Sequence, residues 1–307
     1  MAKKNNKNPG IANLPFPNHH AFIIGINDYL YVDKLQTAVN DAKELARVLA
    51  EEQEFNVHPL LLDAGQKEIE YLLNTTMKEK VGEGDRVFLY FAGHGIALDG
   101  DDGPEGYIVP VDGGSSRDSK LISMQTLHDA VSRLPCRHLL LVLDCCFSGT
   151  FKWSSQRDIM TRPPKRIFKE RFDRYVKDPA WQVITSSAYD QKALDVLRVK
   201  EKPIGKRNED GMSHSPFAEA LFKGLRGEAD LVPEGGDGLI TASELYVYLR
   251  PEVESKTSEL NERYRQTPRI FPLKQHDKGE FVFFHPKHHF NLPHVPERNP
   301  YKGLQSF

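Results

Sequence analysis

The sequence predicts an α/β fold: a three-layer arrangement with a mostly parallel central sheet of about six strands and helices on both faces. Two observations carry this expectation. Short apolar runs alternate with segments of helical periodicity along most of the 307 residues. The runs are apolar at successive positions rather than at every second one, as strands covered on both faces must be.

The elements follow in order. "AFIIGI" (Ala21–Ile26) is the first strand. "VNDAKELARVLAEEQ" is a helix, with Val39, Ala42, Leu45, Ala46 and Leu49 on one face. "VHPLLL" (Val57–Leu62) reads as the next strand and "KEIEYLLNTTMKEKV" as the next helix. "DRVFLYFAGHG" (Asp85–Gly95) is a third strand ending in a glycine-flanked histidine, and a short "YIVPV" (Tyr107–Val111) follows a Gly/Asp-rich loop. "SMQTLHDAVSRL" is helical, and "HLLLVLD" (His138–Asp144) is the fourth strand. Residues 150–179, rich in Lys and Arg, read as an exposed basic linker loop. "WQVITSSA" (Trp181–Ala188) is the fifth strand, and "SPFAEALFKGLRG" and "TASELYVYLRPEV" are helices, the first with Ser215 as N-cap before an N1 proline. "GEFVFF" (Gly279–Phe284) is the last strand. Residues 1–18 read as a flexible polar lead, 19–285 as one domain, and 286–307 as a linker into whatever follows.

Composition excludes several classes. Hydrophobic residues at 39% and charged residues at 27% fit a soluble globular protein. A formal net charge of -2 gives no basis for direct nucleic-acid binding. No apolar run approaches the roughly 20 residues of a membrane helix, and "MAKKNNKNPG" lacks the apolar core of a signal peptide. Three cysteines, two of them adjacent, make a poor disulfide framework, so a reducing, cytoplasmic setting is expected.

In an open α/β sheet, sites form at the carboxyl ends of the strands. Two strands here end in reactive groups: His94 after "VFLYFAG", and Asp144-Cys145-Cys146 after "HLLLVL". A histidine beside a thiol can hold it as thiolate and later protonate a leaving amine. The alternative is a capped strand with a surface histidine and two core cysteines. Adjacent cysteines lack the C-x-x-C spacing of a structural metal site, and no metal ligands are assigned. Strand alternation turns Asp144 and Cys146 one way and Cys145 the other. Cys136, before the fourth strand, reads as structural.

"YFAGHG" followed by "DCCFSG" resembles the caspase-like cysteine peptidases, and within them the metacaspase and bacterial caspase-like branch. "AFIIGINDY", "LQTAVNDAKELARVL", "ITSSAYDQKALD" and "HSPFAEALFKGLRGEAD" are similar to that branch too, so the resemblance spans roughly Ala21 to Phe284. It implies a caspase-like fold and a cysteine endopeptidase. Cys146 is then the nucleophile and His94 its dyad partner, with the backbone N–H groups of Gly95 and Cys146 as oxyanion hole. It also implies that Asp41 and Asp144 line a pocket for a substrate Arg or Lys at P1, and that Asp190 sits on a substrate-binding loop. On position alone, Asp41 has a second reading, a stabilising charge at a helix N-terminus. Ala92 stands where many relatives have serine. The animal-caspase signature Gln-Ala-Cys-x-Gly is absent, so cleavage after Asp is not expected. A chain of this kind is expected to act on protein substrates, in roles such as programmed cell death or antiviral defence. The competing reading is a catalytically silent caspase-like domain kept for assembly or partner docking.

Three further segments bear on partners and cofactors. "PEGGDGLITASE" (Pro233–Glu244) mimics a calcium loop, with Gly238 and Glu244 at its sixth and twelfth positions. Pro233 and Gly235 fall where carboxylates belong, so a turn leading into a helix is expected. Calcium activation is known among metacaspases, but this sequence does not support it and no cofactor is assigned. The basic loop is a candidate for self-cleavage, at Arg166, Arg171 or Arg174. Finally, "ERNPYKGLQSF" resembles the opening of a STAND-type NTPase module, which implies an N-terminal effector piece followed by an NTPase and sensor region.

Overall fold

A computed structural model describes residues 14–100, 104–145, 167, 169–187, 197–199, 202–204, 214–258, 266–288 and 290. Cys146, Asp190, Arg166 and the "NPYKGL" run lie outside the described residues.

The central sheet is built from β1 (His19–Gly25), β2 (Asn56–Val57), β3 (Leu61–Leu62), β4 (Arg86–Ala92), β8 (His138–Asp144), β9 (Ala180–Thr185) and β13 (Arg269–Pro272). Its order is β13-β9-β8-β4-β1-β2, with β3 also on β1. All pairings are parallel except β13 with β9, so the expected mostly parallel sheet is present. Strands β4 and β8 are buried at every position, the signature of a sheet covered on both faces. Leu139, Leu141 and Leu143 join one core and Leu140 and Val142 the other, as the two-residue period dictates.

On one face lie α2 (Gln66–Tyr71), which passes through a π turn at Leu72–Thr76 into α3 (Met77–Lys80), and α4 (Met124–Ser132), capped by Ser123. On the other lie α1 (Ala38–Glu51), α6 (Pro216–Lys223) and α7 (Ala242–Ser258). Helix α1 packs so tightly on β1 that a Cβ on Gly25 would meet the Ala38 carbonyl at 2.6 Å and the Ala42 Cβ at 2.7 Å. That close approach brings the first turn of α1 over the carboxyl end of the sheet. Just past its other end, the buried Gln53 amide donates to the carbonyls of Leu225 (3.0 Å) and Phe284 (2.8 Å) and accepts the Phe284 N–H (3.1 Å).

Several expectations need correction. Val57–Leu62 is two short strands, not one. Tyr107–Val111 contributes to β6 (Glu105–Ile108), which forms a small antiparallel sheet with β5 (Gly95–Leu98) and β7 (Ile122–Ser123). The expected last strand shrinks to β14 (Val282–Phe284) and pairs with β12 (Leu239–Thr241) instead of the main sheet; β13 takes the edge. A further hairpin joins β10 (Leu197–Val199) and β11 (Lys202–Ile204). Within the segment read as an exposed loop, Lys169–Lys177 forms α5, with Phe172 and Val176 buried. Arg171 and Arg174 therefore sit on a helix, which a protease cannot bind as the extended strand it needs without local unwinding. The supposed loose lead is also packed at its end: Leu14 and Phe16 are buried against Phe172 and Phe284 in a third apolar cluster, which extends to Phe290. No described helix is long and apolar enough to cross a membrane.

Candidate active site

Register fixes the site. Gly25 pairs with Ala92, and Ala92 with Asp144, so β1, β4 and β8 end in one row. The Gly93 N–H donates to the Asp144 carbonyl at 3.2 Å, tying the turn that carries His94 to the end of β8.

His94 is held on three sides. Its backbone N–H donates to the Tyr29 hydroxyl at 2.6 Å, and the two rings stand 4.6 Å apart. Its Nε2 lies 2.7 Å from the Asp33 carbonyl oxygen. A carbonyl only accepts, so Nε2 carries the proton and Nδ1 is the nitrogen left to exchange one. Gly93 makes the arrangement possible: a Cβ there would lie 2.5 Å from the Tyr29 hydroxyl. The loop supplying Tyr29 and Asp33 is fixed by Asp63, whose Oδ1 accepts the N–H groups of Asn27 (2.7 Å) and Asp28 (2.9 Å). Gly95 follows directly as the buried first residue of β5, paired with Ile108.

The cysteines separate. Cys145 is fully buried in the core on the Leu143 side, opposite the face of Asp144, as strand alternation requires. Cys136 is buried as well, and burial pushes its thiol up to about 12, which makes it inert at neutral pH.

The structure brings Asp41 and Asp144 together. Asp41 lies in the first turn of α1 and has no exposed surface. Its Oδ1 is 2.6 Å from His214 Nδ1 and its Oδ2 accepts the Ser215 N–H at 3.3 Å. Ser215 Oγ donates to Asp144 Oδ2 at 2.8 Å while accepting the Ala218 N–H at 3.0 Å as N-cap of α6. One serine thus joins both carboxylates. Burial raises the Asp41 carboxyl to about 6, opposed by its bond to His214. Tyr90, buried between strand and helices, is pushed well above its ordinary range by burial and then by the charges of Asp144 and Asp41. The sequence reading missed His214, Tyr29, Tyr90 and the Asp33 carbonyl; it had Ser215 as a helix cap alone. The "HS" before the N1 proline was the one local signal available.

The arrangement offers a half-buried imidazole with one free nitrogen, a strand end leading toward a cysteine, and a buried pair of carboxylates close by. The model of the caspase-domain family matches residues 18–278.

The chain belongs to the caspase-domain family.

This caspase domain is also 22% identical, over 284 residues, to a probable protease of a Desulfuromonadales bacterium. That match covers 83% of the chain but only 31% of the relative, so the domain spans about a third of that protein. Among solved structures, it is similar to protein GSU0716 of Geobacter sulfurreducens, with a TM-score of 0.53 at 18% identity over 86% of this chain and 100% of the other. The last likeness concerns the fold. The family is one of peptidases.

Proposed function

We propose that this caspase domain is a cysteine endopeptidase that cleaves after arginine or lysine, with Cys146 as nucleophile and His94 as its partner. The observation that carries the reading is the shared end of β4 and β8. Ala92 faces Asp144 in register, and the Gly93 N–H is bonded to the Asp144 carbonyl. The turn bearing His94 and the chain leading into Cys146 therefore leave the sheet side by side.

In the proposed reaction the Cys146 thiolate attacks the scissile carbonyl carbon, and the N–H groups of Gly95 and Cys146 take the charge that develops on oxygen. His94 gives a proton from Nδ1 to the leaving amine. Water then attacks the thioester, His94 takes its proton, and Cys146 leaves as thiolate. Asp41 and Asp144 receive the P1 cation, Arg in preference to Lys because its fork suits a carboxylate, and Asp190 contacts the substrate. The steps use these groups without a metal or other cofactor. We further read the domain as an effector whose C-terminal neighbour is a STAND-type NTPase and sensor, on the strength of Asn299-Pro300-Tyr301 and Gly303-Leu304. The greater length of the bacterial relative supports a multidomain setting.

A thiol-reactive peptide ending in Arg tests the reading. It should label wild type and Cys145→Ala at Cys146, fail on Cys146→Ala, and label His94→Ala far more slowly. Labelling at Cys145, or none at Cys146 under any activating condition, would favour a silent docking domain.

A further inference from the structure

We propose that His214 is an internal placeholder for the substrate's basic side chain: it occupies the Asp41 oxygen that a P1 guanidinium or ammonium group needs, and substrate must displace it. This inference rests on the Arg/Lys pocket reading and adds a specificity-determining residue to it.

The geometry is that of a filled cation site. Asp41 Oδ1 is taken by His214 Nδ1 at 2.6 Å, a distance short even for a charge-assisted bond. His214 is itself nearly enclosed, its side chain 6% exposed, with its ring edge-on to Phe222 at 5.1 Å. The second oxygen, Oδ2, accepts the Ser215 N–H at 3.3 Å, and the Thr37 side chain also bonds the carboxylate. Asp144 is engaged by the Ser215 hydroxyl, which holds it in place and brings no charge. Of the two carboxylates, Asp41 is the one bonded to an imidazole.

A buried ionised carboxylate is strongly disfavoured unless paired, and the imidazole of His214 is the partner on Asp41 able to take a positive charge while the pocket is empty. His214 does this with one nitrogen, where arginine would bring a two-pronged donor. For an arginine to reach Asp41, His214 has to give up its bond. The ring thus sets a threshold that favours the side chain best able to replace it, one with a permanent charge and several donors. Removing His214 should have opposite effects on two quantities: the empty domain loses stability, because the buried Asp41 keeps only the Ser215 N–H and Thr37 as partners, while affinity for a guanidinium rises, because the imidazole no longer competes. A residue that merely braced the pocket would lose both.

Agmatine, a guanidinium on a short alkyl chain, is a probe that needs no turnover. Its binding is titrated calorimetrically to the full chain carrying Cys146→Ala, with or without His214→Ala, His214→Gln or Asp144→Asn. His214→Ala should lower the midpoint of thermal unfolding yet bind agmatine at least fivefold more tightly, and agmatine should restore more of its midpoint than it adds to the parent. His214→Gln, which keeps a neutral donor, should fall between and covers the case in which the alanine variant does not fold. If Asp144→Asn abolishes binding but neither His214 variant tightens it, the placeholder is wrong and the pocket stands. If the parent binds no agmatine and the His214 variants bind none either, both fall together.

Discussion

Asp41 is a carboxylate with no exposed surface and a role set entirely by its neighbours. Its carboxyl rises from an ordinary 3.8 to about 6, chiefly through burial. In the folded chain it is neutral below about pH 6 and ionised above. The burden on folding is therefore absent below the unfolded value and complete above the folded one. Attraction for a cation runs the same way and is lost as pH falls through 6. The ratio of kcat/KM for Arg over Gln at P1 isolates this from the dyad's own titration, and we expect it to fall about tenfold between pH 7.5 and 5. A flat ratio would remove Asp41 from the pocket. Gly93 is the other decisive position. An alanine Cβ would lie 2.5 Å from the Tyr29 hydroxyl and 2.9 Å from Phe91 Cζ, so Tyr29 must release the His94 N–H. Gly93→Ala should reduce stability by about 1–3 kcal/mol and slow peptide labelling of Cys146 by more than tenfold; unchanged labelling would show that Tyr29 does not position His94. At this scale His94, Asp144 and the inward turn of Cys145 were readable in the sequence, because each follows from a strand end or from alternation. His214 was not: it lies 173 residues from Asp41, and only the packing of α1 beside α6 joins them.

Helix α7 shows how an element can imitate a metal loop. Glu244, twelfth in the calcium-like run, accepts the Thr241 N–H and hydroxyl through Oε2, both at 2.9 Å, while Thr241 Oγ accepts the Glu244 N–H at 3.1 Å. This is a capping box at the start of the helix, and it accounts for Thr at one position and Glu three later. The cap is buried, and burial pushes the Glu244 carboxyl up to about 8. Stability is thus lost as pH rises from the unfolded value of 4.5 toward 8, where the folded chain must bury a charge. Glu244→Gln keeps the acceptor without the charge. It should stabilise the domain by on the order of 1 kcal/mol at pH 8 and give no gain at pH 4, measured by urea unfolding; loss at both pH values would show that the charge itself matters. The long apolar strands and α1 were legible because period and burial agree. Helix α5 was hidden by its basic surroundings, although Phe172, Tyr175 and Val176 follow helical spacing. Strand β13 is four residues ending in proline, and only its partner β9 makes it a strand.

Across the whole molecule the two edges of the sheet divide the work. The carboxyl edge holds the site; the amino edge, about 20 Å away along a seven-residue strand, holds a buried arginine. Arg86 is 1% exposed, lies 4.5 Å over the Phe55 ring, and donates to the Val282 carbonyl at 2.5 Å and His19 Nδ1 at 3.0 Å. Burial lowers it to about 9. Arg86→Ala leaves a cavity and an unpaired carbonyl, and should cost about 2–4 kcal/mol in chemical denaturation while the folded fraction labels Cys146 at the wild-type rate. A loss below about 0.5 kcal/mol would mean that the edge relaxes around the gap. The Gln53 amide, finally, anchors the far end of α1. It grips both main-chain groups of Phe284, the last residue of the last strand, just beyond one end of a rod about 21 Å long. The other end of that rod bears Asp41. Gln53 thus pins the last strand beside the foot of the helix whose opposite end carries one of the paired carboxylates.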